Sequence, residues 1–148
     1  MTSLPPAATP PPPTFSAADF DAATLAAGRQ GRTVTLCLPA RDEAATVGDI
    51  VAAVQRHLRG CHGLVDEIVV VDDSSTDGTA AAARRAGARV VRGPGLGKGE
   101  AMQAGLAAAE GDLIVFCDAD VRSFRPAFVV GLLGPLLAGR AQFVKARY

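Results

Sequence analysis

Apolar and polar positions along this chain switch repeatedly between two periods. Residues 33–38 form a continuous apolar run rich in β-formers, closed by Pro39, and predict a strand. Val47, Ile50, Val51, Val54 and Leu58 then share one helical face, with Gly60 as the expected stop. Residues 67–71 predict a second buried strand, ended by Asp72 and Asp73. An alanine-rich helix is expected over 79–86, with Gly87 in the position after its last turn. A short strand at 89–91, a glycine-rich loop at 93–99 and a helix at 98–110, stopped by Gly111, follow. Residues 113–117 predict another buried strand ended by Asp118, residues 128–137 a helix, and residues 142–145 one more strand. Strands that are apolar throughout, separated by helices, imply an α/β fold: a mostly parallel sheet with helices on both faces.

The N-terminal region departs from this grammar. Prolines crowd residues 5–13, so residues 1–14 are expected to be a disordered Pro/Ala-rich tail. Phe20 and Leu25, spaced among alanines, predict a helical segment at 15–30, and the compact domain is expected over 31–148.

Charge narrows the function classes. Lys+Arg and Asp+Glu are both 15, so the formal net charge is zero, which gives no electrostatic basis for a nucleic-acid partner. No apolar run reaches the roughly 18–20 residues of a membrane span. The N-terminus lacks the basic and apolar regions of a secretory signal, so a cytoplasmic protein is expected. The 3 cysteines, Cys37, Cys61 and Cys117, show no C-x-x-C spacing and are expected to be buried, reduced thiols. His57 and His62 have no ligand partner at working spacing.

Ligands of open parallel sheets bind outside the carboxyl ends of the strands. Here those ends carry Pro39-Ala40-Arg41-Asp42-Glu43, then Asp72-Asp73, then Asp118-Ala119-Asp120. So many carboxylates at one edge repel each other, and a hard divalent cation would relieve the repulsion. Asp118 and Asp120, two residues apart in extended backbone, face the same way and can share one ion, Mg²⁺ or Mn²⁺, with two phosphate oxygens. Gly93, Gly95, Gly97 and Gly99 allow a ligand close to the backbone. Lys98, at the start of a helix where its charge opposes the macrodipole, suggests an anion nearby. Arg92 and Gly99 rule out a P-loop, and Lys98 and Glu100 rule out a dinucleotide fingerprint.

Taken in order, "CLPARDEAATV", "IVVVDDSSTDGT", "GKGEAM" and "LIVFCDAD" resemble the nucleotide-sugar-binding part of the GT-A glycosyltransferases of the family 2 type. "DADVRSFRPAFVVGLLGPLL" followed by "FVKARY" is most similar to the glucosyl-3-phosphoglycerate synthase group. The resemblance implies a Rossmann-like GT-A fold and transfer of glucose, with retained anomeric configuration, from UDP- or GDP-glucose to 3-phosphoglycerate. It implies Pro39, Ala40, Arg41 and Glu43 around base and ribose, and Asp72, with Asp73 beside it, at the base. Gly97 and Lys98 would lie near the diphosphate, with Lys98 and Asp120 catalytic. Asp118 and Asp120 would hold the metal, and Ala119 would meet the ribose through its backbone. Arg41 and Asp73 depart from the group's usual hydrophobic residue and serine, which leaves the base open between uracil and guanine. The uncapped "FVKARY" run suggests a chain cut in mid-fold, with the acceptor-binding part absent. The group's members dimerise, so a homodimer is a further expectation. A polyprenyl-phosphate acceptor and a non-catalytic nucleotide-sugar-binding fragment are the alternatives.

Overall fold

The structure, a computed structural model, describes residues 10–147. Most of the expected Pro/Ala tail lies outside them. Four parallel strands, β1 (Val34–Ala40), β2 (Glu67–Asp72), β3 (Arg89–Arg92) and β4 (Leu113–Phe116), form one sheet in the order β3-β2-β1-β4. The chain steps outward from β1 to β3, then crosses back to place β4 on the other side of β1. Crossovers between parallel strands keep one hand, so this reversal puts the helix before β4 on the opposite face.

The two sheet faces follow from the two-residue period of the strands. Leu36 and Leu38 of β1, Ile68 and Val70 of β2 and Val115 of β4 point to one side and build the larger core. There they meet α2 (Val47–Val54), through Val47, Ile50, Val51 and Val54, and α5 (Pro126–Leu137), through Val129, Val130 and Leu133. Cys37, Val69 and Val71 point to the other side, against Ala101 of α4 (Lys98–Ala108). Gly105 lets α4 lie flat on the sheet, because a Cβ there would sit 2.4 Å from the Cys37 sulfur. α3 (Thr79–Arg85) joins β2 to β3.

Several boundaries move. The helix that begins as α2 does not stop at Gly60. It widens into π-type turns over Gln55–Cys61, and the Gln55 amide donates to the Gly87 carbonyl at 2.8 Å. α5 begins two residues earlier than expected, because Pro126 fits the first helical position, where no N–H is needed. Residues 142–145 form no strand. A strand needs a ladder partner, and β3, β2, β1 and β4 pair only with one another. Cys61 is exposed rather than buried, while Cys37 is buried and Cys117 half-buried.

The segment before β1 is tied to α5. Ser16 caps a 3-10 turn (Ala17–Asp19) in a reciprocal capping box with Asp19, and Asp21 caps α1 (Ala22–Gly28) through the Thr24 N–H at 2.9 Å. Phe20 lies directly on Gly134, where a Cβ would approach its ring to 2.2 Å. The Arg32 guanidinium donates to the Leu137 carbonyl at 2.9 Å, at the end of α5 where carbonyls lack helical partners.

Candidate functional site

The change of direction between β1 and β4 makes a crevice at their carboxyl ends, the place where open α/β sheets hold ligands. The loop after β1 and the loop after β2 are sewn together across it. The Asp42 N–H donates to the Ser75 hydroxyl (3.0 Å), the Glu43 N–H to the Thr79 hydroxyl (2.8 Å) and the Ala44 N–H to Asp77 (3.1 Å). In return the Thr76 N–H donates to the Asp42 carboxylate at 2.7 Å. Thr79 is fully buried, and its hydroxyl also donates to Asp77. That bond is the main reason the Asp77 carboxyl sits below its ordinary value of 3.8. Asp42 and Ser74 hold positive φ, of 55° and 65°, to make these turns. The short polar residues of "DDSSTDGT" therefore shape the two loops.

The third wall is the glycine-rich loop. Asp73, only 3% exposed, receives the N–H groups of Gly95 (2.6 Å) and Gly97 (3.1 Å) on its two carboxylate oxygens. Its own N–H donates to the Ala40 carbonyl at 2.9 Å. Gly97, at φ 120°, turns the chain into α4, whose first residue is Lys98. The Lys98 ammonium pairs with Asp118. An anion near this helix start was expected from the lysine's unfavourable place on the macrodipole, and Asp118 supplies one from within the chain.

Asp118, half-buried, and Asp120, exposed, follow β4. Ala119 between them is buried, and its carbonyl accepts the Thr46 hydroxyl at 2.6 Å, which ties this turn to the start of α2. Cys117, one residue before, has its thiol pushed up to about 11, first by burial and then by the Asp118 charge.

The six acids of this edge do not converge on a single ion. Among the described residues no group of three His, Cys, Asp or Glu side chains could hold a metal. Asp42, Asp72 and Asp73 each accept backbone N–H groups, Asp72 that of Ser75 at 3.1 Å, so hydrogen bonds relieve the repulsion there without a cation. Glu43 accepts the Thr46 hydroxyl, which leaves Asp118 and Asp120. Two carboxylates fit a divalent cation that takes its other oxygens from water and a diphosphate, the usual habit of Mg²⁺.

Of the remaining expected site residues, Pro39 is half-buried and Ala40 buried at the end of β1, Arg41 is exposed, and Glu43 accepts the Thr46 hydroxyl at 3.2 Å. A cavity of about 340 Å³ opens beside Asp72, bordered by Ser75, Arg84 and Arg92. Arg84 and Arg92 carry no motif: the pairing of Asp72 with Arg92 in the β2–β3 register brings Arg92 there, and Arg84 comes from the last turn of α3. Thr46, Asp77 and Thr79 were likewise not singled out. Their signal was the hydroxyl-rich spacing of "DDSSTDGT" and the threonine ahead of α2.

The sequence profile described as glycosyl transferase family 2 matches residues 35–147, and the chain belongs to that family. The chain is 45% identical over 125 residues to the glucosyl-3-phosphoglycerate synthase of Mycolicibacterium paratuberculosis, across 79% of this chain and 37% of that protein. It is 43% identical over 133 residues to the synthase of Mycobacterium tuberculosis, across 84% of this chain and 40% of that one. The chain thus spans about two fifths of the length of the curated relatives it matches. In structure it is similar to mannosyl-3-phosphoglycerate synthase from Rubrobacter xylanophilus, with TM-score 0.79, 39% identity and coverage of 83% of this chain and 42% of that one. It is also similar to the M. tuberculosis glucosyl-3-phosphoglycerate synthase in complex with Mn²⁺, UDP-glucose and phosphoglyceric acid, with TM-score 0.70, 39% identity and coverage of 86% and 45%. The fold is therefore the GT-A-like one expected. Among the described residues no helix is long and apolar enough to cross a membrane.

Proposed function

We propose that this chain carries the donor-binding part of a glucosyltransferase that moves glucose from UDP-glucose to 3-phosphoglycerate with retained configuration. The observation that carries the reading is the Lys98–Asp118 pair at the β1/β4 crevice, where the glycine-rich loop meets the D-x-D. In this reading Pro39, Ala40, Arg41 and Glu43 border the base and ribose, and Asp72 meets the base. Asp73 stands behind them, holding the loop. Gly97 brings Lys98 to the diphosphate, where its charge steadies the leaving group, and Ala119 presents its backbone to the ribose. Asp118 and Asp120 hold the cation, which when bound supplies Lewis-acid stabilisation of the leaving diphosphate. The choice of uracil is supported by the M. tuberculosis relative, whose structure holds UDP-glucose with Mn²⁺.

The test is calorimetric titration with UDP-glucose and GDP-glucose, with and without Mg²⁺, on the chain and on Asp120→Ala. Mg²⁺-dependent binding of UDP-glucose that the substitution abolishes is the expected result. Binding that ignores both metal and substitution would overturn the assignment. A second reading, transfer of mannose, has support in the likeness to the Rubrobacter enzyme. A GDP-mannose arm in the same titration decides between the two sugars.

A further inference from the structure

Asp73 is a buried carboxylate, 3% exposed. Such a group is costly inside a protein unless hydrogen bonds replace its water. Here the donors are the Gly95 and Gly97 N–H groups, and no buried side-chain oxygen or nitrogen among the described residues is left unsatisfied. The fit is close. A Cβ on Gly93 would lie 2.6 Å from an Asp73 carboxylate oxygen and 3.0 Å from its Cα. Successive loop N–H groups turned toward one point make the kind of concavity that binds phosphate. In this chain the side chain of Asp73 already fills that concavity.

We propose that Asp73 is a positioning residue: its carboxylate locks the glycine-rich loop in the form that aims Lys98 at the D-x-D. The contacts form a continuous path. The Ala40 carbonyl at the end of β1 holds the Asp73 N–H, and Asp73 holds Gly97. Gly97 precedes Lys98, and Lys98 reaches Asp118. The diphosphate is then met by the Lys98 side chain, not by the N–H groups of Gly95 and Gly97. The inference rests on the donor-binding reading above, and its test separates the two.

The whole chain is compared with Asp73→Asn, Asp73→Ser, Lys98→Ala and the Asp73→Asn/Lys98→Ala double variant, each checked for fold by circular dichroism. The probes are UDP with Mg²⁺, and uridine. Asp73→Asn keeps one acceptor but turns an amide N–H₂ against the second loop N–H. It should weaken UDP about tenfold or more, on the scale of one lost charge-assisted contact, while uridine changes less than about twofold. The double variant should bind UDP no worse than Lys98→Ala alone, because residues in one chain of action are not additive. Losses that multiply, or uridine weakening in step with UDP, would overturn the proposal in favour of a general structural role.

A readout without ligand protects the test. Lys98 and Lys145 are the only lysines, so reductive ¹³C-methylation, which keeps the charge, gives each a resolvable signal. In Asp73→Asn the Lys98 signal should move toward that of Lys145, and exchange of the Gly95 and Gly97 amides should accelerate. Asp73→Ser, with a single hydroxyl, should fall between, and serves if the asparagine variant does not fold. An unmoved Lys98 signal refutes the proposal even if UDP fails to bind, a failure that would instead sink the donor-binding reading.

Discussion

The two ends of the sheet are both acidic, and they treat their acids differently. At the amino end Asp66 is paired with Arg29 at 2.6 Å and also takes the Val34 N–H at 2.8 Å. Glu67 takes the buried Thr35 hydroxyl at 2.7 Å, the Glu110 N–H at 3.0 Å and Arg89 at 2.9 Å. Asp112 takes the Thr33 N–H at 2.8 Å. Every one of these acids is answered inside the chain, two of them by arginine. At the carboxyl end, among the described residues, no arginine pairs with a carboxylate. Backbone N–H groups answer Asp42, Asp72 and Asp73, one lysine answers Asp118, and Asp120 points to solvent. Charge satisfied by arginine forks is fixed in place. Charge satisfied by a single flexible lysine can be exchanged for an incoming cation and diphosphate. The first end is a clamp on the fold, the second a socket.

The largest expected contrast is between two cysteines, Cys37 within β1 and Cys61 at the end of the helix before β2. Burial, and then the Glu67 charge, push the Cys37 thiol up to about 12, while Cys61 is exposed. Only the thiolate alkylates, and Cys37 is both buried and held protonated, so at pH 8 exposed Cys61 should react at least about tenfold faster than Cys37. Mass spectrometry of a timed labelling reads this directly, and fast Cys37 labelling would mean that the sheet opens from one end. Next in size, Asp120→Ala should reduce Mg²⁺-dependent UDP affinity by about a hundredfold or more, the lower bound for losing a metal ligand. Its melting temperature should change little, because Asp120 is exposed. Glu67→Ala should do the reverse. It strands the Thr35 hydroxyl and the Glu110 N–H, costing about 1–3 kcal/mol in denaturant unfolding while leaving UDP binding intact. Equal effects of the two substitutions on both readouts would erase the distinction between clamp and socket.

The smallest contrast is in pH. Asp112 is held below the ordinary carboxylate value chiefly by the Thr33 N–H, and Asp77, at the other end, chiefly by the Thr79 hydroxyl. Burial raises Glu67, but the Glu110 N–H, Thr35 and Arg89 together lower it further, so its net shift is also downward. A depressed folded value adds stability above the unfolded value and loses it as pH falls through the folded one. Stability from all three should therefore be intact near neutrality and decline only below about pH 4. An acid-unfolding series followed by carboxyl NMR should find all three carboxyls, at both ends, titrating below their ordinary values, since at either end hydrogen bonds lower them.

The apolar grammar made the sheet, the helices and the position of the D-x-D readable, because buried parallel strands leave no choice of residue type. "IVVVDD" illustrates the limit. Asp72 and Asp73 are adjacent and chemically identical, and both read as site residues. Opposite pointing of neighbours along a strand end leaves the first half-buried beside a cavity and the second 3% exposed beneath the loop. Which is which depends on a loop twenty residues later. The partners of Glu67 were hidden for the same reason, since Thr35 and Glu110 come from distant segments. Residues 142–145 misled in the opposite sense: their local composition favours a strand, and strand identity belongs to a pair.

The bonds that sew the two loops together join residues 33 to 36 positions apart. None can form from a local turn. They wait for β1 to find β2, and chain closure over that distance is slow compared with helix formation. The binding crevice is therefore among the last things this chain acquires as it folds, and amide protection at Asp42, Ala44 and Thr76 should arise together, after the helices and in step with strand pairing.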